Sequence, residues 1–376
     1  IIKNSYIANS TSLILMQIIP ATVPVFIFHI NQISLTADFY LTAMFISFNL
    51  NSGFRKFWKN HGISNHITLR RKGVNQMFLS MHNWMRAEQI GITIRRLAQC
   101  GYDAIEIEGE PEKYDTKEVR NLLKENGIVC FGSVSLMFEG RDLIHADEAV
   151  RASTVKYLKD CVTMVKEMEG REMTIVPSQV GKVNAMDTPE QEWAWAVEGL
   201  KEVYGHSEKE GVVIGIEPIN RFETNFIYRH DQAVLLAEAV GPNCGVALDA
   251  FHINIEEADL WQAILNTGKK LVAFHVADNN RMAPGMGDYD WVRLVTTLKA
   301  AGYNDALTVE FVAPLDRTPA NPYKNAQADA EAELTEDQLK FIEDHGSGVL
   351  SDEFYSWLVE KSGQTLRNAI EKAGAN

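Results

Sequence analysis

Four side chains that can bind a metal ion stand where apolar runs of the sequence end. They are Glu217, Asp249, His275 and Glu310. A lone carboxylate is costly to bury in an apolar strand, so four such groups close together would need a common partner. A divalent cation would satisfy all four. Three carboxylates and one imidazole suit Mn²⁺, Mg²⁺ or Co²⁺ better than a metal that prefers thiolates.

Each of these residues also has a simpler interpretation when it is taken alone. A carboxylate at a strand end often caps a helix or forms a salt bridge, and a single histidine is commonly a core residue with its hydrogen bonds satisfied. Four such residues at four consecutive strand ends fit those roles less well. The pattern therefore predicts a metal centre, provided that the fold brings the strand ends together.

The strands and helices that would bring these strand ends together can be predicted from Met77 onward. There, short apolar runs alternate with longer amphipathic segments. This alternation is typical of βαβ units and a parallel sheet. The predicted strands are 77–82, 103–108, 128–135, 172–177, 212–217, 244–249, 271–277 and 306–312. The predicted helices are 86–100, 116–126, 146–168, 189–209, 230–240, 257–267, 290–301 and 350–373.

Eight strands, each followed by a helix within roughly 300 residues, predict an α/β fold of the (β/α)₈ TIM-barrel type. An open doubly wound sheet is the alternative. It is disfavoured because no glycine-rich phosphate loop follows the first strand. In a barrel the active site lies at the carboxyl ends of the strands, where the four candidate ligands stand.

The segment after the fifth strand reads I-E-P-I-N-R-F-E over 216–223. We interpret Glu217 as the ligand and Pro218 as the residue that stiffens the turn. Asn220, Arg221 and Glu223 are predicted to line the mouth of the site, where a polar substrate would bind.

Residues 1–76 differ from the rest of the chain. They hold seven basic residues and one acidic residue, while the whole chain of 376 residues has a formal net charge of −14. We expect 1–76 to be an extension outside the fold, not necessarily native, and 77–376 to form the catalytic barrel. The apolar stretch 13–30 is broken by polar residues and prolines, so we do not expect a membrane span.

The acidic balance of the chain disfavours nucleic-acid binding, which needs a basic face. Its four cysteines are far apart in the sequence, with no spacing typical of a zinc site or a disulfide framework. Buried thiols in a reducing cytoplasm are the expected state.

The connection 314–350, between the last strand and the last helix, is long and contains three prolines. Loops of this length are usually lids or interface elements, and a surface insertion is the alternative.

The motifs at the strand ends resemble those of a known family. They are I-E-P-I-N-R-F-E (216–223), L-D-A-F-H-I-N-I-E-E (248–257), F-H-V-A-D-N-N-R-M-A-P-G (274–285) and V-E-F (309–311). The chain resembles the sugar isomerase/epimerase family with the xylose-isomerase-like barrel. Within it, the chain most resembles the D-tagatose/D-psicose ketose 3-epimerases. The resemblance covers about 77–313 and, weakly, the last helix.

The resemblance implies roles for individual residues. Glu217, Asp249, His275 and Glu310 correspond to the family's metal ligands, with Mn²⁺ the expected ion. Glu217 and Glu310 would also act as acid and base on opposite faces of the sugar. Glu223, His252 and Arg281 correspond to its sugar-binding residues. The implied substrate is a small sugar, and a homo-oligomer or a small partner subunit is a further expectation.

Two departures from the epimerase pattern bear on the substrate. Val276-Ala277-Asp278 stands where those enzymes resemble T-G-E, and the sequence after Glu310 lacks their glycine-rich continuation. The main alternative is the catalytic subunit of a C-glycoside deglycosidase, a type of enzyme built from two subunits, which the chain also resembles and which acts on 3-oxo-glucosides. A metal-dependent endonuclease and a non-catalytic sugar-binding protein are further alternatives. The acidic domain disfavours the former, and the complete ligand set disfavours the latter.

Overall fold

The computed structural model describes residues 77–313, 318–323, 336 and 350–374. The predictions for 1–76, and most of those for 314–350, lie outside these residues. Within the described ranges, eight parallel strands form one sheet in the order β1-β8-β7-β6-β5-β4-β3-β2. The strands are β1 Phe78–Met81, β2 Ala104–Glu108, β3 Val129–Val134, β4 Glu172–Ile175, β5 Val213–Ile216, β6 Gly245–Asp249, β7 Leu271–Val276 and β8 Ala306–Val309.

The sheet curls into a nearly closed TIM barrel, which confirms the predicted fold class. β1 and β2 lie at the two ends of the strand order, and they meet through one parallel bridge between His82 and Glu106. On the inward face, Ala104 and Phe131 pack with three further alanines from β6, β7 and β8, so small side chains fill this layer of the interior.

Nine α-helices are assigned within the described residues. They are α1 Ile90–Gln99, α2 Thr116–Asn126, α3 Glu148–Glu167, α4 Pro189–Glu210, α5 His230–Val240, α6 Ala250–Glu256, α7 Leu260–Thr267, α8 Trp291–Ala301 and α9 Asp352–Gly374. All eight predicted strands and helices are present, with ends that differ by a few residues. The sequence reasoning missed α6.

Local capping explains several helix bounds. Asp115 accepts hydrogen bonds from the backbone N–H groups of Lys117 and Glu118 at the start of α2, and Gly127 ends that helix at φ 67°. Thr188 caps α4 ahead of Pro189. These signals lie in the sequence itself, which is why the pattern located the helices.

The last helix is tied to the first βα unit. The Tyr102 hydroxyl donates to the Val359 carbonyl at 2.9 Å, and Arg96 contacts both Ser356 and Asp352. These contacts hold α9 against the barrel on the side of β1 and β2. No helix among the described residues is long and apolar enough to cross a membrane.

Candidate active site

The four predicted ligands come from the carboxyl ends of four neighbouring strands. Asp249 and His275 are directly paired in register between β6 and β7. Glu217 directly follows β5, and its backbone N–H continues the ladder to the Ile175 carbonyl; Glu310 directly follows β8 and bonds to Val276 in the same way. One ligand atom from each of the four residues lies within 4.8 Å of the others.

The cluster is deeply buried. His275 has no exposed surface and Glu217 and Asp249 are each 3% exposed, while the Glu310 side chain is slightly more open. The Nδ1 atom of His275 lies 2.9 Å from Oε2 of Glu310 and 3.4 Å from Oε1 of Glu217. Neither Nδ1 nor that Glu310 oxygen makes a well-aligned hydrogen bond. Buried polar atoms that converge without hydrogen bonding to one another suit a common cation.

The two carboxylate oxygens of Asp249 can serve two different roles. Its Oδ1 caps α6 by accepting hydrogen bonds from the backbone N–H groups of Phe251 and His252, at 2.6 and 3.0 Å. This fixes the carboxylate and leaves Oδ2 for a metal ion. The simple role of a helix cap and the role of a ligand therefore coexist in one residue.

The electrostatics show how costly this cluster is without a cation. Burial, followed by the charges of Glu310 and Glu217, raises the pKa of Asp249 to about 8. Burial likewise raises the pKa of Glu217, although His275 opposes the shift. Burial alone would lower the pKa of His275, but the surrounding carboxylates outweigh it and raise that pKa well above its usual value. The metal-free cluster therefore holds protons that a cation would displace.

Above the cluster, three further predicted residues form one hydrogen-bonded group. Arg281 donates to Glu223 at 2.9 Å, and Asn220 donates to the same Glu223 oxygen at 2.8 Å. His252 accepts the backbone N–H of Asn220 at Nδ1, which leaves Nε2 as its protonated nitrogen. Burial, followed by the charge of Arg281, lowers the pKa of His252 to about 4, so its ring is neutral.

A cavity of about 320 Å³ joins this group to the metal cluster. Its charged and histidine lining residues are Glu217, Glu310, Glu223, His252 and Arg281. The rest of the lining is mostly apolar and comes from β3, the first residue after β4, and the loops that follow β1, β3, β4, β5 and β8: Trp84, Val134, Ser135, Leu136, Met137, Phe138, Val176, Val180, Ile219 and Val312. Its volume and mixed lining suit one small polar ligand.

One expectation about the mouth is wrong. Arg221 was predicted to line it, but its side chain is more than half exposed and pairs with the buried Glu256, away from the cavity-lining residues. Asn220 does not line the cavity either; it is buried and orients Glu223 and His252. The motif I-E-P-I-N-R-F-E thus supplies a candidate ligand that also lines the cavity, Glu217, and two further cavity residues, Ile219 and Glu223. Asn220 and Arg221 hold the loop.

The loop after β7 explains Asp278, which departs from the epimerase pattern. Asp278 is fully buried and accepts the backbone N–H groups of Asn279, Gly285 and Tyr289. The loop turns at Arg281, whose φ is 62°. Asp278 therefore shapes the loop that presents Arg281 to the cavity.

Sequence reasoning missed two buried residues next to the ligands. Nε2 of His82 lies 3.5 Å from Oε2 of Glu310, and Oε1 of Glu106 lies 3.3 Å from Nε2 of His275. His82, Glu106 and His275 form a second group whose ligand atoms are within 4.8 Å of one another. A glutamate on the inward face of β2 was the available signal, but its partner is 169 residues away in the chain.

Comparisons with known proteins agree with this architecture. The L-ribulose 3-epimerase of Mesorhizobium japonicum is 29% identical over 220 residues, which is 58% of this chain and 74% of that protein. The 3-dehydro-D-guloside 4-epimerase of Escherichia coli is 26% identical over 251 residues, 64% of this chain and 94% of that protein. A solved structure of L-ribulose 3-epimerase has a TM-score of 0.65 at 22% identity and covers 80% of this chain and 97% of its own, which supports the fold.

The family model for the xylose isomerase-like TIM barrel matches residues 94–345, well over half of the chain. The match spans the barrel from the first helix through the eighth strand, and so includes all four candidate ligands. The chain belongs to the xylose isomerase-like TIM barrel family.

Proposed function

We propose that the chain is a divalent-metal-dependent sugar epimerase that acts next to the carbonyl of a keto-sugar, of the ketose 3-epimerase type. The main observation in support is that four potential metal ligands converge at the rim: Glu217, Asp249, His275 and Glu310. Glu223, His252 and Arg281 line the same cavity as two of them, Glu217 and Glu310. The relatives support the enzyme class, because they include proteins named L-ribulose 3-epimerase, ketose 3-epimerase and D-psicose 3-epimerase.

The two glutamates supply the proton chemistry in this proposal. One carboxylate removes the proton from the carbon next to the ketone, and the electron pair of that C–H bond moves toward the carbonyl oxygen. The other carboxyl then returns a proton to the same carbon from the opposite face, so the configuration inverts. A bound divalent cation would stabilise negative charge on the substrate oxygens. The donor set favours Mn²⁺, with Mg²⁺ or Co²⁺ as alternatives.

The remaining polar residues orient the sugar. Arg281 is fixed by Glu223 and lies 4.8 Å from the Phe251 ring centroid, so its guanidinium is held toward the cavity. His252 presents a neutral Nε2–H donor, because Asn220 occupies its Nδ1. Donors fixed in this way bind sugar hydroxyls with little loss of side-chain entropy.

A second candidate is action on a 3-oxo-glycoside, including cleavage of a C-glycoside with a partner subunit. Two observations favour it: one relative is named a 3-dehydro-D-guloside 4-epimerase, and many of the cavity-lining residues are apolar and would accommodate an aglycone. Both candidates use proton abstraction beside a ketone. They differ in the step after abstraction, since the first inverts a carbon and the second eliminates a group.

The test incubates the full chain with Mn²⁺ and, separately, with D-psicose, D-tagatose, D-fructose and a 3-oxo-glucoside bearing an aromatic aglycone. Chromatography of the products separates the candidates. Interconversion of ketoses at C3 supports the first. Release of the aglycone, without conversion of any ketose, would replace it with the second.

The cellular compartment of the enzyme is also part of the proposal. Cys100, Cys130, Cys161 and Cys244 are free thiols, which fits a reducing compartment such as the cytoplasm.

A further inference from the structure

The inward face of β2 carries charge where a barrel interior is usually apolar. Side chains alternate along a strand, so Ala104, Glu106 and Glu108 face one way and the two isoleucines between them face the other. Ala104 belongs to the small apolar layer of the interior. Glu106, two residues further toward the rim, is fully buried. A buried carboxylate is retained only where a partner compensates its desolvation.

The partner of Glu106 is the ring of His275. The Oε1 atom of Glu106 lies 3.3 Å from Nε2 of His275, and both side chains are fully buried. The other ring nitrogen, Nδ1, faces Glu217 and Glu310. The imidazole therefore stands between two kinds of carboxylate: the ligand cluster on one edge, and Glu106 on the other.

Barrel closure fixes the position of Glu106. A backbone bridge between β1 and β2 joins His82 to Glu106, so this glutamate lies at the seam of the barrel. His82 packs edge-on against His275, with ring centroids 4.7 Å apart. Through these two contacts, His82 adjoins both Glu106 and His275.

Glu172 is a second buried carboxyl near Glu106 and His275, which both influence its pKa. Its carboxyl lies over two glycines of neighbouring strands: a Cβ at Gly132 would lie 3.0 Å from its Oε2, and one at Gly215 would lie 3.0 Å from its Oε1. Burial, followed by the charge of Glu106, raises the pKa of Glu172 well above its usual value. Burial therefore disfavours the ionised form of Glu172, while its neighbour Glu106 faces the histidine.

We propose that Glu106 is a positioning residue of the metal centre: its carboxylate accepts a hydrogen bond from Nε2–H of His275 and holds the ring with Nδ1 toward the ion. The inference rests on the metal site of the proposed function. A ligating histidine whose other nitrogen donates to a carboxylate is held in one tautomer and is a more basic ligand.

The first test measures metal affinity without turnover. Co²⁺ is titrated into the metal-stripped full chain, and the visible absorption of the bound ion reports affinity, coordination and stoichiometry. For Glu106→Gln we expect an affinity that is roughly 10- to 100-fold weaker, with a changed Co²⁺ spectrum. For the matched variant Glu172→Gln, which alters a buried carboxyl that accepts a hydrogen bond from Thr174 and keeps its shape, we expect less than about a threefold change.

Four outcomes overturn the proposal. Unchanged Co²⁺ affinity and an unchanged spectrum in Glu106→Gln would refute the proposed role of Glu106 without contradicting the proposed metal centre. Equal weakening in both variants would indicate a general effect of the buried polar layer. A second Co²⁺ per wild-type chain, lost in Glu106→Gln, would make His82, Glu106 and His275 a cation site of their own. Absence of Co²⁺ binding to the wild type would overturn the proposed function as well.

A second measurement needs no variant and covers the case in which Glu106→Gln fails to fold. NMR of the wild-type chain with ¹⁵N-labelled histidine and diamagnetic Mg²⁺ reports which ring nitrogen of His275 carries the proton. The proposal predicts a slowly exchanging Nε2–H. A proton on Nδ1, with a bare Nε2, would contradict it.

Discussion

At the scale of single residues, the central feature is the concentration of negative charge on a few buried atoms. Glu217, Asp249 and Glu310 surround one imidazole nitrogen, and burial with mutual repulsion raises two of the three carboxyl pKa values. Glu310 differs: burial opposes its ionisation, but the charges of His82 and His275 hold its pKa well below the usual value. Such a cluster is stable at neutral pH only with protons or a cation.

The first prediction concerns the two carboxylates proposed to move protons. We expect Glu217→Gln or Glu310→Gln to lower kcat by at least about 10²- to 10⁴-fold, because an amide cannot accept the proton. Steady-state kinetics on the ketose that the wild type turns over best measure the loss. Glu202→Gln, which alters an exposed carboxylate paired with Lys159, is the control and should retain activity. Near-normal turnover in either site variant would refute the acid/base assignment.

The second prediction concerns proton release on metal binding. Asp249, with a pKa of about 8, is largely protonated at about pH 7 in the metal-free protein, and a cation must displace that proton. Metal affinity should therefore fall as pH falls below that value. Calorimetry at about pH 7, in buffers of different ionisation enthalpy, should give roughly one proton released per ion, or more if His275 also loses one. A pH-independent affinity with no proton release would contradict this electrostatic picture.

At the scale of elements, the sequence predicted the strands more completely than the segments that follow them. Every strand was predicted because apolar runs and turn residues are local signals. Helix α6 was missed because A-F-H-I-N-I-E directly follows β6, and its start depends on the Asp249 cap that also faces the site. The four candidate ligands could be proposed from the sequence because they stand at strand ends, and the structure brings them together. The contact between Glu106 and His275 was not, because nothing local links β2 with β7.

The third prediction tests the loop that carries Arg281. A Cβ at Gly287 would overlap Oδ1 of Asn279 and Oδ1 of Asp278, so Gly287→Ala should displace the loop. We expect kcat/KM to fall by roughly 10- to 100-fold, mainly through KM, with Co²⁺ affinity unchanged. Gly205→Ala is the matched control: this exposed glycine in α4 has open space for a Cβ, and alanine there should stabilise the helix by about 0.5–1 kcal/mol. Unchanged kinetics in Gly287→Ala would show that the loop does not position the substrate.

At the scale of the whole molecule, the chain is a TIM barrel of the xylose isomerase-like family and an enzyme of the sugar isomerase/epimerase type. At the seam between β1 and β2, a backbone bridge joins His82 to Glu106, two residues that also adjoin the candidate ligands, and Asp103 donates to the Leu79 carbonyl at 3.0 Å. Folding and assembly of the site are therefore coupled, because closure of the barrel brings His82 and Glu106 together beside the candidate ligands. Because His252 is buried and neutral, the stability of the fold also depends on pH.

The fourth prediction follows from the lowered pKa of His252. The folded protein holds this ring neutral down to about pH 4, whereas the unfolded chain takes up a proton near 6.5. The unfolded state thus binds more protons between these values, and stability falls as pH falls through that window. From about pH 7.5 to about 5.5, metal-free wild type should lose about 1 kcal/mol more unfolding free energy than His252→Gln. Urea unfolding measures both; equal losses would contradict the prediction.

The most direct test of the central claim follows deuterium. The full chain with Mn²⁺ is incubated with D-fructose or D-psicose in D₂O, the metal is removed, and the recovered sugars are analysed by NMR. The account predicts that deuterium appears at C3 of both epimers and that Glu310→Gln abolishes this uptake. A wild-type protein that binds one divalent ion per chain but incorporates no deuterium at C3 would contradict proton abstraction from a ketose.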